Sequence, residues 1–221
     1  MKVGTDGVLL GSWCDVANAS SVLDIGTGTG LIALMVAQRN DRCMIDALDI
    51  DPSSCIQAEE NVDRSLWKDR IMVHQGSFQE FSQVPDRSYD LIVTNPPWFR
   101  NSLRNPDPGR SVARHACSLP PEDLLKGLIK LLAPDGKFCM IMPVGESLTF
   151  VDTAGKYGLH CGKITAVFPN PGKPPKRYLT EFSFSNDSVV RDELVLELDR
   201  RHKYSDEFKK LTGDFYLYFR Y

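Results

Sequence analysis

Ser21-Val22-Leu23-Asp24-Ile25-Gly26-Thr27-Gly28-Thr29-Gly30 is a short apolar run that ends in three alternate glycines. Residues 31–38, directly after it, are apolar enough to form a buried helix. A strand, a glycine turn and a helix in that order open a βαβ unit. Alternate glycines let the chain turn sharply and let a ligand lie against the backbone where any Cβ would collide. The spacing is not that of the dinucleotide fingerprint G-x-G-x-x-G. An acid, Asp24, also precedes this loop, in reach of a ligand's amino group.

Outward from that stretch the same alternation continues. Residues 43–50 read as a second strand ending at Asp49 and Asp51, and Pro52 opens a helix through residue 61 with Asp51 as its N-cap. Residues 70–74 and 89–94 read as a third and a fourth strand. Residues 121–132 form an amphipathic helix stopped by Ala133-Pro134-Asp135-Gly136, and residues 137–142 a fifth strand. Such alternation predicts a parallel sheet with helices on both faces. After Gly145 the pattern changes. Residues 159–168 and 178–184 are β-rich, and the proline-stiffened stretch from Pro169 to Arg177 joins them as an antiparallel pair. No repeat or low-complexity tract interrupts the 221 residues, so a single domain is expected.

Bulk properties narrow the class of protein. Apolar residues make up 42% and charged residues 25%, as in a globular protein with a substantial core. No apolar run is long enough to span a bilayer, and the opening residues lack the pattern of a signal peptide, so the expected location is cytoplasmic. The net charge of −3 gives no general pull on nucleic acid, which leaves the distribution of basic residues to decide. Six cysteines without a C-x-x-C pair, and four scattered histidines, point to reduced core thiols and to no metal site.

Asp49 lies nineteen residues after Gly30 at the end of the second strand, from where a carboxylate can accept both hydroxyls of a ribose. A ligand with a ribose and an ammonium group but no phosphate fits this pair better than a dinucleotide does. The fourth strand runs straight into Asn95-Pro96-Pro97-Trp98. An exocyclic amine has its lone pair delocalised into the ring and becomes nucleophilic when its two N–H bonds are gripped. The Asn95 side-chain oxygen and the Pro96 carbonyl are two such acceptors, and consecutive prolines hold the backbone stiffly. Trp98 offers a face on which a flat base can stack, worth about 1–3 kcal/mol.

Together these motifs resemble the cofactor loop, the ribose-binding acid and the catalytic tetrapeptide of class I (Rossmann-like) S-adenosylmethionine-dependent methyltransferases that act on amines. Within that group the chain is most similar to the tRNA1(Val) adenine-37 N6-methyltransferases. The likeness is carried also by the opening Lys2-Val3-Gly4-Thr5-Asp6-Gly7-Val8-Leu9-Leu10-Gly11-Ser12-Trp13, by the run from Pro174 to Phe182, and by residues 204–218. It implies an α/β fold with a mostly parallel seven-stranded sheet, an antiparallel C-terminal hairpin and helices on both faces. Residues 1–19 would cap cofactor and substrate, 20–145 would bind the cofactor, and 146–221 would supply the hairpin and a basic loop. It implies that Thr5, Asp6, Asp24, Gly26, Gly28, Gly30, Asp49, Ser77, Phe78 and Asn95 surround S-adenosyl-L-methionine, with S-adenosyl-L-homocysteine as product and no metal. Members of that family carry a further segment ahead of this opening, which bears on the upstream part of the substrate site.

Arg100, Arg104, Arg110 and Arg114 follow the tetrapeptide, and Lys173, Lys176 and Arg177 stud the proline loop. Both stretches are expected at the carboxyl rim of the sheet, where they would hold tRNA phosphates without reading sequence. The reaction implied is direct methyl transfer to an adenine N6 of tRNA, at position 37 of tRNA1(Val), by a monomer with no obligate protein partner and no membrane. The Asn-Pro-Pro-Trp grip also suits a protein glutamine N5-methyltransferase or an rRNA guanine N2-methyltransferase. A catalytically idle module that binds cofactor or RNA is the remaining alternative. Which tRNA and which nucleotide is modified rests on the resemblance alone.

Overall fold

The computed structural model describes residues 4–96 and 119–217. Helix α1 (Thr5–Trp13) precedes β1 (Ser21–Ile25), α2 (Leu31–Arg39), β2 (Met44–Asp49), α3 (Pro52–Asp63), β3 (Ile71–Gln75), the single turn α4 (Phe78–Phe81) and β4 (Tyr89–Thr94). Then follow α5 (Pro121–Leu131), β5 (Leu132–Pro143), α6 (Val144–Gly155), β6 (His160–Phe168), β7 (Arg177–Ser183), β8 (Val190–Val195) and α7 (Asp206–Thr212). The strands form one sheet in the order β3-β2-β1-β4-β5-β7-β6-β8. β1 to β5 run parallel to one another, and β7 runs antiparallel to both β5 and β6. The doubly wound sheet with a C-terminal hairpin is therefore present as expected.

Alternation along the strands sorts the core into two layers. Val22, Leu91, Val93, Cys139 and Ile141 face α1 and α2, while Leu23, Ile92, Phe138, Met140 and Met142 face the layer that holds α5 and Phe150 of α6. Asp51 caps α3 through Ser54 N–H at 2.9 Å with Pro52 in the first turn, as the sequence predicts. The five cysteines among the described residues are free and buried. No helix of the described residues is long and apolar enough to cross a membrane.

Two expectations need correction. The sheet has eight strands, not seven, because Val190–Val195 pairs in parallel with β6. Its Val190, Arg191, Asp192 and Glu193 are exposed at the sheet edge, so the strand carries no hydrophobic alternation to announce it. Ala133-Pro134-Asp135-Gly136 is not a linker ahead of the fifth strand but a bulge within it. Tyr89 pairs with Leu132 and Leu91 with Lys137, so the intervening residues of β5 arch out of register. Pro134 has no N–H to leave unpaired there, and a Cβ on Gly136 would come 2.8 Å from the Tyr89 carbonyl oxygen.

Candidate active site

The parallel register of β1 with β2 and β4 sets three strand ends side by side. Ile25 lies opposite both Leu48 and Thr94, so Gly26, Asp49 and Asn95 each come one residue past a shared line. Thr94 Oγ1, fully buried, donates to the Ile25 carbonyl at 2.8 Å and ties the ends of β1 and β4 together. This is the crevice at the carboxyl ends of the strands where open α/β sheets bind ligands.

The glycine loop is held from below. Gly26 and Thr27 N–H both donate to the Leu48 carbonyl, at 2.8 and 3.0 Å. Gly28 N–H donates to Asp49 Oδ2 at 2.8 Å, and Asn61 Nδ2 to the Thr29 carbonyl at 2.9 Å. Gly26, Gly28 and Gly30 have φ of 71°, 60° and 78°, a region that side chains with a Cβ rarely enter. The Cβ position of Gly26 faces open space, which leaves the loop's outer side free for a ligand.

Asp24 lies beneath the loop and is fully buried. Its Oδ2 accepts from Thr27 Oγ1 at 2.6 Å and from Ala33 N–H at 3.2 Å. Its Oδ1 has no hydrogen-bond partner. Burial raises its pKa from 3.8 to about 7; the Thr27 hydroxyl and the Ala33 amide pull the other way, and the charge of Asp49 adds to the rise. An orphaned carboxylate oxygen under an open glycine loop suits a cationic ligand group. Asp49 is half-buried at the end of β2. Its Oδ1 accepts from Asp51 N–H at 2.9 Å, and both oxygens retain lone pairs for further donors.

Ser77 and Phe78 follow β3. Ser77 caps α4, accepting from Glu80 N–H at 3.2 Å and donating to Glu80 Oε2 at 2.7 Å. Phe78 is buried, with its ring packed in the core against Gly127 of α5. Asn95 and Pro96 are half-buried where β4 ends. Helix α1 closes over Asn95: a Cβ built on Gly7 would lie 3.8 Å from Asn95 Nδ2 and 3.1 Å from Leu31 Cδ2. Thr5 is exposed in the first turn of that helix, and Asp6 Oδ2 accepts from Arg177 Nε at 3.0 Å. Pro97, Trp98, Arg100, Arg104, Arg110 and Arg114 lie outside the described residues.

The proline loop sits where expected. Arg177 pairs with Pro143 at the end of β5 and with Val167 near the end of β6, which sets residues 169–176 on the carboxyl rim. Lys173 and Lys176 are exposed there without an ion-pair partner among the described residues, whereas Arg177 is engaged by Asp6. Sequence reasoning missed Thr27, Thr94 and Asn61. Thr27, three residues after Asp24, could have been found from that spacing; Asn61 and Thr29 are 32 residues apart, so their bond leaves no local signal.

A doubly wound sheet with a glycine loop after β1, an acid ending β2 and Asn-Pro ending β4 defines a Rossmann-like methyltransferase, and comparison agrees. The family model for the methyltransferase small domain matches residues 4–118, just over half of the chain. A tRNA1(Val) (adenine(37)-N6)-methyltransferase of Bacteroides thetaiotaomicron is 48% identical over 221 residues, covering 100% of this chain and 92% of the relative. One from Trichodesmium erythraeum is 46% identical over 219 residues, covering 98% of this chain and 91% of the relative. Among solved structures, a predicted O-methyltransferase from Agrobacterium tumefaciens superposes with a TM-score of 0.73 over 95% of this chain and 96% of its own, at 17% identity, a likeness of fold. The chain belongs to the methyltransferase small domain family and, within it, to the tRNA1(Val) (adenine(37)-N6)-methyltransferases.

Proposed function

We propose that the protein transfers the methyl group of S-adenosylmethionine to the exocyclic N6 of an adenine in tRNA, at position 37 of tRNA1(Val). The observation that carries this reading is the adjacency of the glycine loop and Asn95, set by the Ile25–Thr94 register. The names of the 46–48% identical relatives support the substrate.

The cofactor supplies an electrophilic methyl carbon on a sulfonium. In this reading Asp49 accepts the ribose hydroxyls, Gly26, Gly28 and Gly30 let the ligand lie against the backbone, and Asp24 favours its amino group. Thr5, Asp6, Ser77 and the backbone of Phe78 complete that wall. Asn95 Oδ1 and the Pro96 carbonyl accept the two N–H bonds of the target amine, and Pro97 stiffens the turn. Trp98 supplies the stacking face once the base has left its stack. Gripping both N–H bonds frees the nitrogen lone pair to point at the methyl carbon, so orientation contributes most of the acceleration. The product ammonium sheds its proton readily and requires no strong base. Lys173 and Lys176, with the arginines from Arg100 to Arg114, hold phosphates at the rim. The protein acts as a monomer in the cytoplasm.

The test is transfer of labelled methyl groups from S-adenosylmethionine to unmodified tRNA, followed by nucleoside mass spectrometry. N6-methyladenosine appears with the wild type. Asn95→Ala lowers kcat by at least about a hundredfold while cofactor binding changes little. A fully active Asn95→Ala protein would refute the amine grip. Label in ribosomal RNA or in a protein glutamine, with none in tRNA, would refute the substrate.

A further inference from the structure

Helix α1 carries Gly7 and Gly11, each costing about 1 kcal/mol against alanine in a helix interior, and its N-cap Gly4 offers no side-chain bond. Its position over Asn95 is therefore set by what grips it from outside. The C-terminal end is well held. Arg39 Nη1 donates to the Gly11 and Cys14 carbonyls at 2.9 and 2.7 Å, and Trp13 Nε1 donates to Thr165 Oγ1 of β6 at 2.9 Å. The first turn, the part nearest Asn95, is held among the described residues by one side-chain bond, Asp6 to Arg177. Arg177 is itself locked, because its Nη1 donates to the Lys176 carbonyl at 3.0 Å and its backbone pairs with Pro143 and Val167. Both of these side-chain hydrogen bonds from the hairpin to α1 thus come from β positions, Thr165 and Arg177.

We infer that Arg177 is a positioning residue: through Asp6 it clamps the first turn of α1 against Asn95 and so fixes the amine grip, and it is not a phosphate contact like Lys173 and Lys176. With side chains about 30% exposed, the pair adds little stability. Its effect is on geometry, where a displacement of about 1 Å can cost on the order of a hundredfold in rate.

The inference rests on the proposed tRNA reaction for its kinetic test, and a second readout is independent of that reaction. Steady-state methylation of tRNA by Arg177→Gln is measured across a range of salt, with thermal unfolding of each variant as a check on folding. A clamp predicts that kcat falls about tenfold, that the KM for tRNA stays within about threefold, and that salt dependence is unchanged. Asp6→Asn gives the same loss, and the double variant is no worse than either single one. Arg177→Lys, or the exchanged pair Asp6→Arg with Arg177→Asp, recovers part of kcat. A raised KM with unchanged kcat and a shallower salt dependence would overturn the clamp in favour of a phosphate contact. Hydrogen exchange of the amides of residues 8–10 decides the matter without substrate: faster exchange in Arg177→Gln supports the clamp, and exchange at the wild-type rate overturns it. A wild-type protein that leaves tRNA unlabelled would count against the substrate and not against the clamp.

Discussion

Asp24 holds the glycine loop from beneath and, in the proposed reading, also favours a cationic ligand. Its pKa is raised from 3.8 to about 7, chiefly by burial, so between those values the native state holds a proton that the unfolded chain has lost. Stability from this group is full below about pH 4, falls as pH rises to about 7, and is flat beyond, with a slope of at most about 1.4 kcal/mol per pH unit. Asp24→Asn keeps an acceptor for Thr27 and Ala33 and puts an amide where Oδ1 has no partner. Thermal unfolding from pH 4 to 8 should therefore show a flatter profile for the variant and greater stability than the wild type above pH 7. The ligand should respond in the opposite sense. A cationic group beside Asp24 favours the carboxylate, so S-adenosylmethionine should bind more weakly below pH 7, and titration calorimetry should find that pH dependence lost in Asp24→Asn.

At the scale of elements, the shape of the site depends on how helices pack behind it. Gly127 lets α5 press against Phe78, and a Cβ there would come 2.3 Å from the Phe78 ring. Gly127→Ala must push that ring, and with it the single-turn helix α4 capped by Ser77, out of place. The cost should be about 1–3 kcal/mol, seen as a lower unfolding midpoint, because the ring is buried and has no room to turn. Affinity for S-adenosylmethionine should fall in the same variant, whereas an equivalent loss of stability far from β3 should leave it unchanged.

On the scale of the whole molecule, an acidic protein must meet an anionic partner through a local concentration of charge. The register of β5, β6 and β7 carries Lys173 and Lys176 to the rim that also bears Asn95. Replacing both with glutamate should raise the KM for tRNA at least about tenfold and make binding less salt-dependent, while kcat at saturation stays near the wild-type value. Filter binding at several salt concentrations reads both effects.

Local chemistry made much of this legible before any coordinates. Strand alternation, the Asp51-Pro52 helix start, the three glycines of positive φ, Asp49 and Asn95-Pro96 each depend on neighbours a few residues away, and the structure places them as their sequence context requires. Edge strand β8 escaped notice because a half-exposed strand with a charged face resembles a loop. The bulge at Pro134-Asp135-Gly136 escaped because proline and glycine mark a linker and a bulge alike. Nothing near Arg177 in the chain points to Asp6, since the two are 171 residues apart and meet only when the hairpin packs beside α1. The amino-acid sequence by itself determined the class of fold and the chemistry available at each strand end. Which charges pair, which carboxylate is stripped of water and which helix covers Asn95 were decided by tertiary packing, because burial and long-range contact exist only once distant segments share a surface.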